Sequence, residues 1–406
     1  MSTDEAARPK LVIDEGAIAN RVQQLSDQRL SSKYAKQKTS LQKELANYLS
    51  SLRSPKTLMS AVPGDVISFL IWKDRNGRTQ VHRSDCRVSR SQRGTAECQC
   101  PRRLAFGTVD ALIGKLRSIF CNVGRGSEWH SLLGVGNPAA CRSVRNYLAD
   151  VREEQLKARV VPRQAEPVLL ADLEVICSYI HTELLKSAQL SASQVYVLAR
   201  DQAIFKALFF AGDRASDLFQ LKTEDVFRLP DKSGLLLNHC WTKTLREGDI
   251  HVFAFKRGSN KVICPVWGIE LYVKMCDLLK VKLSPGFLFR PVSKSGSIVC
   301  NQFDTTAAQA RLNTYTTTLG GRLSGDRFTM HGFRSGAAVS LALAGVSLRD
   351  IMDHIGWKSS KTALHYIKLR QVMNPSGAAS ILADLDPQIG QTYKDWNSLK
   401  GFVPFF

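Results

Sequence analysis

The sequence contains no long run of apolar residues. Its longest apolar windows, such as residues 203–212, fall short of the roughly 18 residues that a membrane span needs. The first ten residues, MSTDEAARPK, also lack the apolar stretch of a secretory signal peptide. We therefore expect an intracellular, soluble protein with no membrane partner.

Acidic residues are scarce relative to basic ones. Lys and Arg number 56 and Asp and Glu 36, which gives a net charge of +20. Residues 1–165 hold 28 basic and 15 acidic side chains, and the remaining residues hold 28 and 21. This excess favours a polyanion, because a protein that neutralises phosphates releases the counterions condensed on DNA. We expect double-stranded DNA as the partner, although a merely soluble basic protein would carry the same charge.

The ten cysteines do not follow the spacing of a disulfide framework. With no secretory signal, the isolated ones are predicted to be reduced and buried small side chains. These are Cys121, Cys141, Cys177, Cys240, Cys264, Cys276 and Cys300. The other three cluster between residues 86 and 100 and need a separate explanation.

Apolar residues recur every three to four positions through the first part of the chain, which predicts helices. The predicted helices cover residues 15–52, 63–76, 108–120 and 137–159. On the last of them, Leu156 is expected to face inward with Val144, Leu148 and Val151. The first part therefore resembles a small helical bundle interrupted by one Cys-rich insert.

A new pattern begins after residues 161–167, which mix prolines and charges and are predicted to form a linker. Helices are predicted over residues 169–185, 193–211, 267–279, 305–319 and from 333 onward, and strands over 225–229, 235–241 and 250–255. The predicted fold class is mainly α with a small antiparallel β-sheet (α+β).

Four soft ligands stand at metal-binding spacing in the insert. His82 and Cys86 form one close pair, Cys98 and Cys100 form another, and eleven residues separate the pairs. Two such pairs can chelate tetrahedral Zn²⁺ from two tight turns. The segment between them is polar, so a metal could replace its missing core. Three free thiols and a surface histidine remain the alternative.

The residues around these ligands resemble the ALOG domain, a plant DNA-binding domain. The resemblance rests on residues 98–117, CQCPRRLAFGTVDALIGKLR, and residues 147–159, YLADVREEQLKAR, and it extends over residues 35–160. It implies a helical bundle over residues 1–160 with a zinc-ribbon insert at 82–100. It also points to recombinases of DIRS-type retroelements, from whose amino-terminal domain ALOG is thought to descend.

The ALOG resemblance implies a structural zinc and a DNA-facing surface. The implied zinc ligands are His82, Cys86, Cys98 and Cys100. The arginines implied to face DNA are Arg83, Arg87, Arg90, Arg93, Arg102 and Arg103. A solvated basic loop is the alternative reading for these arginines.

The last third of the chain contains an ordered set of polar residues. His331 and Arg334 are three positions apart at a helix entry, so both can project from one face. Gly345 ends that helix, Ser347 caps the next one, and Gly356 ends it. Trp357 follows directly, and Tyr366 comes nine residues after Trp357.

This order resembles the signature of the tyrosine recombinase and phage integrase superfamily. The family's first arginine matches Arg214 in the string GDRASDL, and its hairpin lysine matches Lys243 in WTKT. The resemblance covers residues 168–372 and implies a tyrosine recombinase catalytic domain there. Residues 373–406 are predicted to be a docking tail.

The residue types suit phosphodiester chemistry. The planar guanidiniums of Arg214 and Arg334 can each hold two phosphate oxygens. By resemblance, Tyr366 is the nucleophile and forms a covalent 3′-phosphotyrosyl link, His331 is the base, and Lys243 is the general acid.

Trp357 would position the nucleophile and donate its indole N–H. No catalytic cofactor is implied.

Each of these residues also has a structural alternative. Arg214 could cap a helix, Trp357 could be plain core, and Lys243 could be a turn lysine, with Lys256 or Lys261 in its role. Tyr272, Tyr315, Tyr393 and His354 are predicted to be structural.

The resemblances together imply a site-specific recombinase that integrates a mobile element, a retrotransposon, as circular DNA in the nucleus. They also imply a homo-oligomer, dimeric on one site and tetrameric in synapsis. Two alternatives remain: a domesticated DNA-binding regulator without turnover, and a type IB topoisomerase.

Overall fold

A computed structural model describes residues 16, 19–24, 33–86, 98–160, 166–239, 251–325, 327–360 and 363–364. The chain divides into two compact units, residues 1–163 and 164–406. The fold class is mainly α with small antiparallel sheets, as the sequence predicts. Among the described helices, none combines the length and the apolar character needed to cross a membrane.

The amino-terminal unit is a helical bundle with two short antiparallel ladders. Its helices are α1 (Lys33–Ser50), α2 (Pro63–Lys73), α3 (Phe106–Phe120) and α4 (Arg142–Lys157). Its strands are β1 (Thr79–Gln80) paired with β2 (Arg102–Arg103), and β3 (Trp129–His130) paired with β4 (Val135–Gly136). Leu45, Phe69 and Leu116 are fully buried in the centre of the bundle, on the faces that the apolar spacing predicts.

The end of α4 differs from the prediction. Leu156 is 65% exposed, and the neighbouring Gln155 is buried instead. The Gln155 amide donates to the carbonyl of Leu104 at 2.8 Å and accepts from the backbone N–H of Phe106 at 2.9 Å. The turn before α3 has polar backbone groups that need partners, so a polar side chain occupies the inward position.

The carboxyl-terminal unit combines helices with a three-stranded antiparallel sheet. Its helices are α5 (Leu170–Leu185), α6 (Ala192–Ala211), α7 (Ala215–Leu218), α8 (Pro265–Leu278), α9 (Thr305–Leu319), α10 (Met330–Leu343) and α11 (Leu348–Ile355). Its strands are β5 (Val226–Arg228), β6 (Gly234–His239) and β7 (His251–Lys256), with β6 in the middle. In register, Leu236 faces Phe227 on one side and Ala254 on the other.

Helix α6 lies at the centre of this unit and is buried on nearly all sides, polar residues included. Because a buried carboxylate needs partners, Asp201 is held by three groups. Arg200 lies at 2.7 Å, Arg311 at 2.7 Å, and the Tyr315 hydroxyl donates at 2.8 Å. This network connects α6 to α9.

The prediction of buried isolated cysteines is wrong at two positions. Cys121 and Cys300 are exposed, because one lies in the turn that follows α3 and the other in a loop before α9. Burial raises the pKa of Cys177 and of Cys276 to about 12, so both thiols stay protonated and unreactive. Cys141 and Cys264 are buried too, and Cys240 lies outside the described residues.

Two glycines allow the chain before α5 to lie directly on α10. Val168 donates its backbone N–H to the carbonyl of Gly332 at 2.9 Å. One helical turn further on, a Cβ atom at Gly336 would overlap the carbonyl oxygen of Val168. This close approach fixes the position of the first turn of α10, the helix that carries His331 and Arg334.

We expect Gly336→Ala to lower the free energy of unfolding by about 2 kcal/mol or more, because the backbone contact must open to admit the methyl group. Chemical denaturation of the full chain measures the loss. Gly114→Ala is the control, since its Cβ would meet no atom within 4 Å. Helix propensity then predicts a gain of up to about 1 kcal/mol. Equal effects of the two substitutions would contradict the contact.

Candidate active site and candidate metal centre

The end of α6 is the point where the candidate active-site elements meet. The helix stops at Gly212, whose left-handed φ of +58° forms the C-cap. Arg334 on α10 donates from Nη1 to the carbonyl oxygen of Gly212 at 2.9 Å, and His354 on α11 lies 2.8 Å from the carbonyl oxygen of Phe210. A Cβ at Gly212 would lie 2.8 Å from the side chain of Ile355, so α11 packs tightly on this turn. His354 is therefore structural, as predicted.

Arg214 begins α7, immediately after this turn. Its Nη1 lies 3.3 Å from Oδ2 of Asp217, which is almost fully buried. The backbone N–H of Arg214 donates to Oδ1 of Asp213 at 2.7 Å. The side chain stays one-third exposed, so solvent reaches part of it while Asp217 anchors its guanidinium. An arginine held in this way can receive an anion without reorganising.

His331 stands in the first turn of α10, three residues before Arg334. Burial lowers the pKa of His331 from its ordinary value of 6.5, and the positive charges of Arg334 and Arg214 lower the pKa further. Arg334 also contacts the carbonyl of Gly212, two residues before Arg214, so the backbone brings the three residues to the end of α6. At neutral pH the imidazole is therefore uncharged and can accept a proton.

Trp357 is both a core residue and a neighbour of Arg334. It follows Gly356, which ends α11 with φ +73°, and it packs with Ile351 and Ala363. The guanidinium carbon of Arg334 lies 5.3 Å from the centre of its ring. Trp357 can therefore be a core residue and a neighbour of the candidate active site at once, because its ring packs in the core and also contacts Arg334.

A buried pair that sequence reasoning missed lies beside Arg214. Nε2 of His239 is 2.9 Å from Oδ2 of Asp213, and both side chains are buried. The sequence signal was present: Leu235, Leu237 and His239 alternate along β6, and all three face inward. His239 is also the last described residue of β6, so the β6–β7 connection starts beside Arg214.

Lys243 and Tyr366 lie outside the described residues, so their predicted roles are not tested. Of the alternative lysines, Lys256 is exposed and donates to the Ser233 hydroxyl at 2.9 Å, and Lys261 is exposed in the loop before α8.

Tyr272 and Tyr315 are buried packing residues, as predicted, and Tyr393 lies outside the described part.

The four predicted metal ligands of the amino-terminal unit do meet. One ligand atom from each of His82, Cys86, Cys98 and Cys100 lies within 4.8 Å of the others. Nδ1 of His82 is 3.5 Å from the sulfur of Cys86 and 3.4 Å from that of Cys98. Tetrahedral zinc, with bonds of about 2.0 Å to nitrogen and 2.3 Å to sulfur, would separate such atoms by about 3.6 Å. The cluster therefore fits a zinc ion.

The surroundings of the cluster also suit thiolate ligands. Gln80 donates to the sulfur of Cys98 and the backbone N–H of Arg83 donates to that of Cys100, both at 3.4 Å. Such donors stabilise the negative charge of metal-bound thiolates.

The structure locates half of the arginines that are expected to face DNA. Arg83 and Arg102 are exposed, whereas Arg103 is half-buried, with Nη1 3.7 Å from Oδ2 of Asp74. Arg87, Arg90 and Arg93 lie outside the described residues. DNA contact by these arginines stays a prediction.

Comparison with known families gives one match in each unit. The ALOG domain matches residues 21–153, and the phage integrase family matches residues 183–372. In the amino-terminal unit, the chain is 36% identical over 131 residues to Protein LIGHT-DEPENDENT SHORT HYPOCOTYLS 5 of Arabidopsis thaliana, covering 32% of this chain and 69% of that protein. It is 39% identical to Protein G1-like7 of Oryza sativa subsp. indica over the same share of this chain. The match spans only 58% of the length of Protein G1-like7.

Comparison with solved structures finds similarity to DNA-bound recombinases at low identity. A lambda integrase dimer bound to a COC′ core site shares 13% identity with a TM-score of 0.48, covering 88% of this chain and 78% of that one. The Tn1549 transposon integrase with transposon right end DNA shares 13% identity with a TM-score of 0.47, covering 88% and 98%.

We expect one zinc ion per chain. Cys100→Ser should lose this ion, and because metal binding stabilises the fold, the unfolding midpoint of the amino-terminal unit should fall by about 5 °C or more. Metal analysis and thermal unfolding measure these two effects. Cys300→Ser removes an exposed thiol outside the cluster and should retain the metal. Retention of a full equivalent by Cys100→Ser would rule out the proposed ligand set.

Proposed function

Because the chain belongs to the ALOG family in its amino-terminal unit and carries a phage integrase family (tyrosine recombinase) domain in its carboxyl-terminal unit, we propose that it cleaves and rejoins DNA as a site-specific tyrosine recombinase. The observation that carries this proposal is the convergence of Arg214, His331 and Arg334 at the end of α6.

The two arginines would hold the scissile phosphate. Phosphodiester cleavage builds negative charge on the non-bridging oxygens, and fixed guanidiniums stabilise this charge most when they need not reorganise. Arg214 is anchored by Asp217, and Arg334 is anchored by the carbonyl of Gly212. Both anchors lie within the short segment 212–217, where α6 ends and α7 begins, so the fold holds the two guanidiniums near the same point.

Tyr366 is the proposed nucleophile. Its hydroxyl oxygen would attack phosphorus, form a 3′-phosphotyrosyl bond and release the 5′-oxygen as a hydroxyl. Attack by a 5′-hydroxyl on the same phosphorus reverses the step, so no external energy source is required. Ala363, three residues before Tyr366, is buried in the same cluster as Trp357, which touches Arg334. The chain therefore approaches the arginines shortly before it reaches the proposed nucleophile.

Two side chains would move the protons. The uncharged His331 would accept the proton of the tyrosyl hydroxyl, and Lys243 would donate one to the leaving 5′-oxygen. Lys243 is four residues beyond His239, which contacts the neighbour of Arg214. The start of that connection beside the site supports the assignment.

The finer functional proposals follow from the two domains together. The recombinase would integrate a mobile element, a retrotransposon of the DIRS type, through a circular DNA copy in the nucleus. It would bind as a dimer on one site and as a tetramer in synapsis, with residues 373–406, outside the described part, docking on a neighbour. Zinc held by His82, Cys86, Cys98 and Cys100 would stabilise the DNA-binding ribbon.

The proposal predicts a covalent protein–DNA adduct. A random-sequence library of nicked duplexes traps such adducts, because the fragment beyond the nick diffuses away before religation. We expect Tyr366→Phe to abolish the adduct, since phenylalanine has no nucleophilic oxygen. Sequencing of the recovered DNA would identify the target site.

The matched control for this experiment is Tyr393→Phe, which removes a hydroxyl from a tyrosine that is predicted to be structural. It should form adducts at the rate of the parent protein. Adduct formation that survives in Tyr366→Phe would refute the nucleophile, and absence of adduct in the parent would favour the regulator.

The regulator alternative is favoured by one observation. Identity to these plant proteins, 36–40%, extends over 131 residues or 32% of this chain, and the ALOG domain matches residues 21–153, so DNA binding without turnover is compatible with that part of the chain. A type IB topoisomerase would form the same adduct but would relax supercoiled DNA without pairing two sites.

The lowered pKa of His331 predicts how cleavage depends on pH. Since the imidazole is uncharged above its folded pKa, the rate of adduct formation at subsaturating DNA should be level near neutrality and fall below pH 6.5. His331→Gln should lower the rate about a hundred-fold, and the remaining rate should no longer fall below pH 6.5. If the rate of His331→Gln still falls below pH 6.5 in the same way, a group other than His331 causes the pH dependence.

A further inference from the structure

The amino-terminal unit contains a cavity that is lined by several arginines. Its volume is about 820 Å³, and it lies between the β1 strand and the end of α4. Among the described residues, three arginines line it, Arg78, Arg152 and Arg159, and no aspartate or glutamate does. We call it the arginine cavity.

None of these three guanidiniums forms an ion pair with a carboxylate anywhere in the described part of the chain. Arg152 is held toward the cavity by Phe106, whose ring centre lies 5.8 Å from the guanidinium carbon. The nearest acid on the same helix, Glu153, is engaged by Lys157 at 2.7 Å. A concave surface lined by one sign of charge concentrates the electrostatic field and attracts counter-charges.

The backbone at Arg159 allows the role of its charge to be tested by itself. Val160 donates to the carbonyl of Gln155 at 2.9 Å, the six-to-one bond of a Schellman motif, and Arg159 occupies the left-handed position with φ +51°. Glycine is the usual residue there, because a side chain in this conformation is strained. Because glycine fits this backbone position as well, the charge of Arg159 can be removed there without straining the end of α4.

We infer that the arginine cavity binds a phosphodiester of the DNA backbone, an extension that rests on the proposed function. The apolar part of the lining, which includes Phe106, Leu156 and Val160, suits the adjoining deoxyribose. The cavity is also continuous with the ribbon, because Gln80 and His82 belong to its lining. A DNA strand that contacts the ribbon can therefore continue into the cavity.

The experiment uses Arg159→Gly in the full, metal-loaded chain. This substitution removes the charge and relieves the backbone strain, so the unfolding temperature should stay level or rise while DNA affinity falls. For a short fluorescein-labelled duplex of mixed sequence, we expect a loss of about five-fold at moderate salt. The slope of log K against log salt should decrease in size by about 0.9, the contribution of one phosphate contact.

The control variant is Lys280→Gly. It also replaces a positively charged residue in the left-handed conformation by glycine, but at a position outside the arginine cavity. Lys280 follows α8 with φ +57°, and Val281 donates to the carbonyl of Cys276 at 2.8 Å, so the motif is the same. This control loses one positive charge outside the cavity and should change the affinity less than about two-fold.

The inference is overturned if Arg159→Gly binds the duplex as tightly as Lys280→Gly does. It is also overturned if inorganic phosphate stabilises the parent but not Arg159→Gly while both bind DNA equally, because the cavity would then hold a free anion. Repeating the titrations in the Tyr366→Phe background separates this test from the proposed function, since binding is read without cleavage. A triple Arg78→Gln, Arg152→Gln, Arg159→Gly variant should lower the salt slope about three times as much.

Discussion

The candidate active site depends on how the carbonyl groups at the end of α6 find partners. The last carbonyls of a helix have no intrahelical N–H, and α6 ends inside the protein, where water cannot supply one. Arg334 satisfies Gly212 and His354 satisfies Phe210. Cationic groups are also favoured at this end of a helix by its dipole. The requirement to cap α6 therefore brings α10 and α11 to one point and brings His331 and Trp357 with them.

This arrangement explains why a permanently charged side chain can be almost fully buried. Arg334 is 2% exposed, and burying an isolated charge is costly. The carbonyl dipole of Gly212 and the face of Trp357 offset part of that cost before any phosphate arrives. The same contacts hold the guanidinium in place, so stabilisation of the fold and preorganisation of the site come from one side chain. Replacing Arg334 would therefore affect both the stability of the fold and the geometry of the site.

The sequence predicted most of the helices well, because apolar periodicity and helix caps are local signals. Ser347 accepts from the backbone N–H of Asp350 as a cap, as its position before an apolar run indicates. Contacts between distant segments were harder to predict. The inward position of Gln155 depends on unpaired backbone groups about fifty residues away, and the pairing of Asp213 with His239 depends on how β6 meets α6. No spacing rule contains that information, although the alternation along β6 did indicate which way His239 points.

Under the proposed function, the two units would meet the same polyanion in different ways. In the amino-terminal unit, a metal cluster would replace the core that the ribbon lacks, and the side chains of Arg83 and Arg102 beside it are exposed at the surface. In the carboxyl-terminal unit, the surplus of positive charge is smaller, and the arginines that matter are anchored and partly buried. Surface charge of the first kind is screened by salt, whereas charges fixed in a buried site are screened much less. Affinity for DNA should therefore reside mainly in the first unit and respond to ionic strength. The chemistry in the second unit should depend on geometry set at the end of α6.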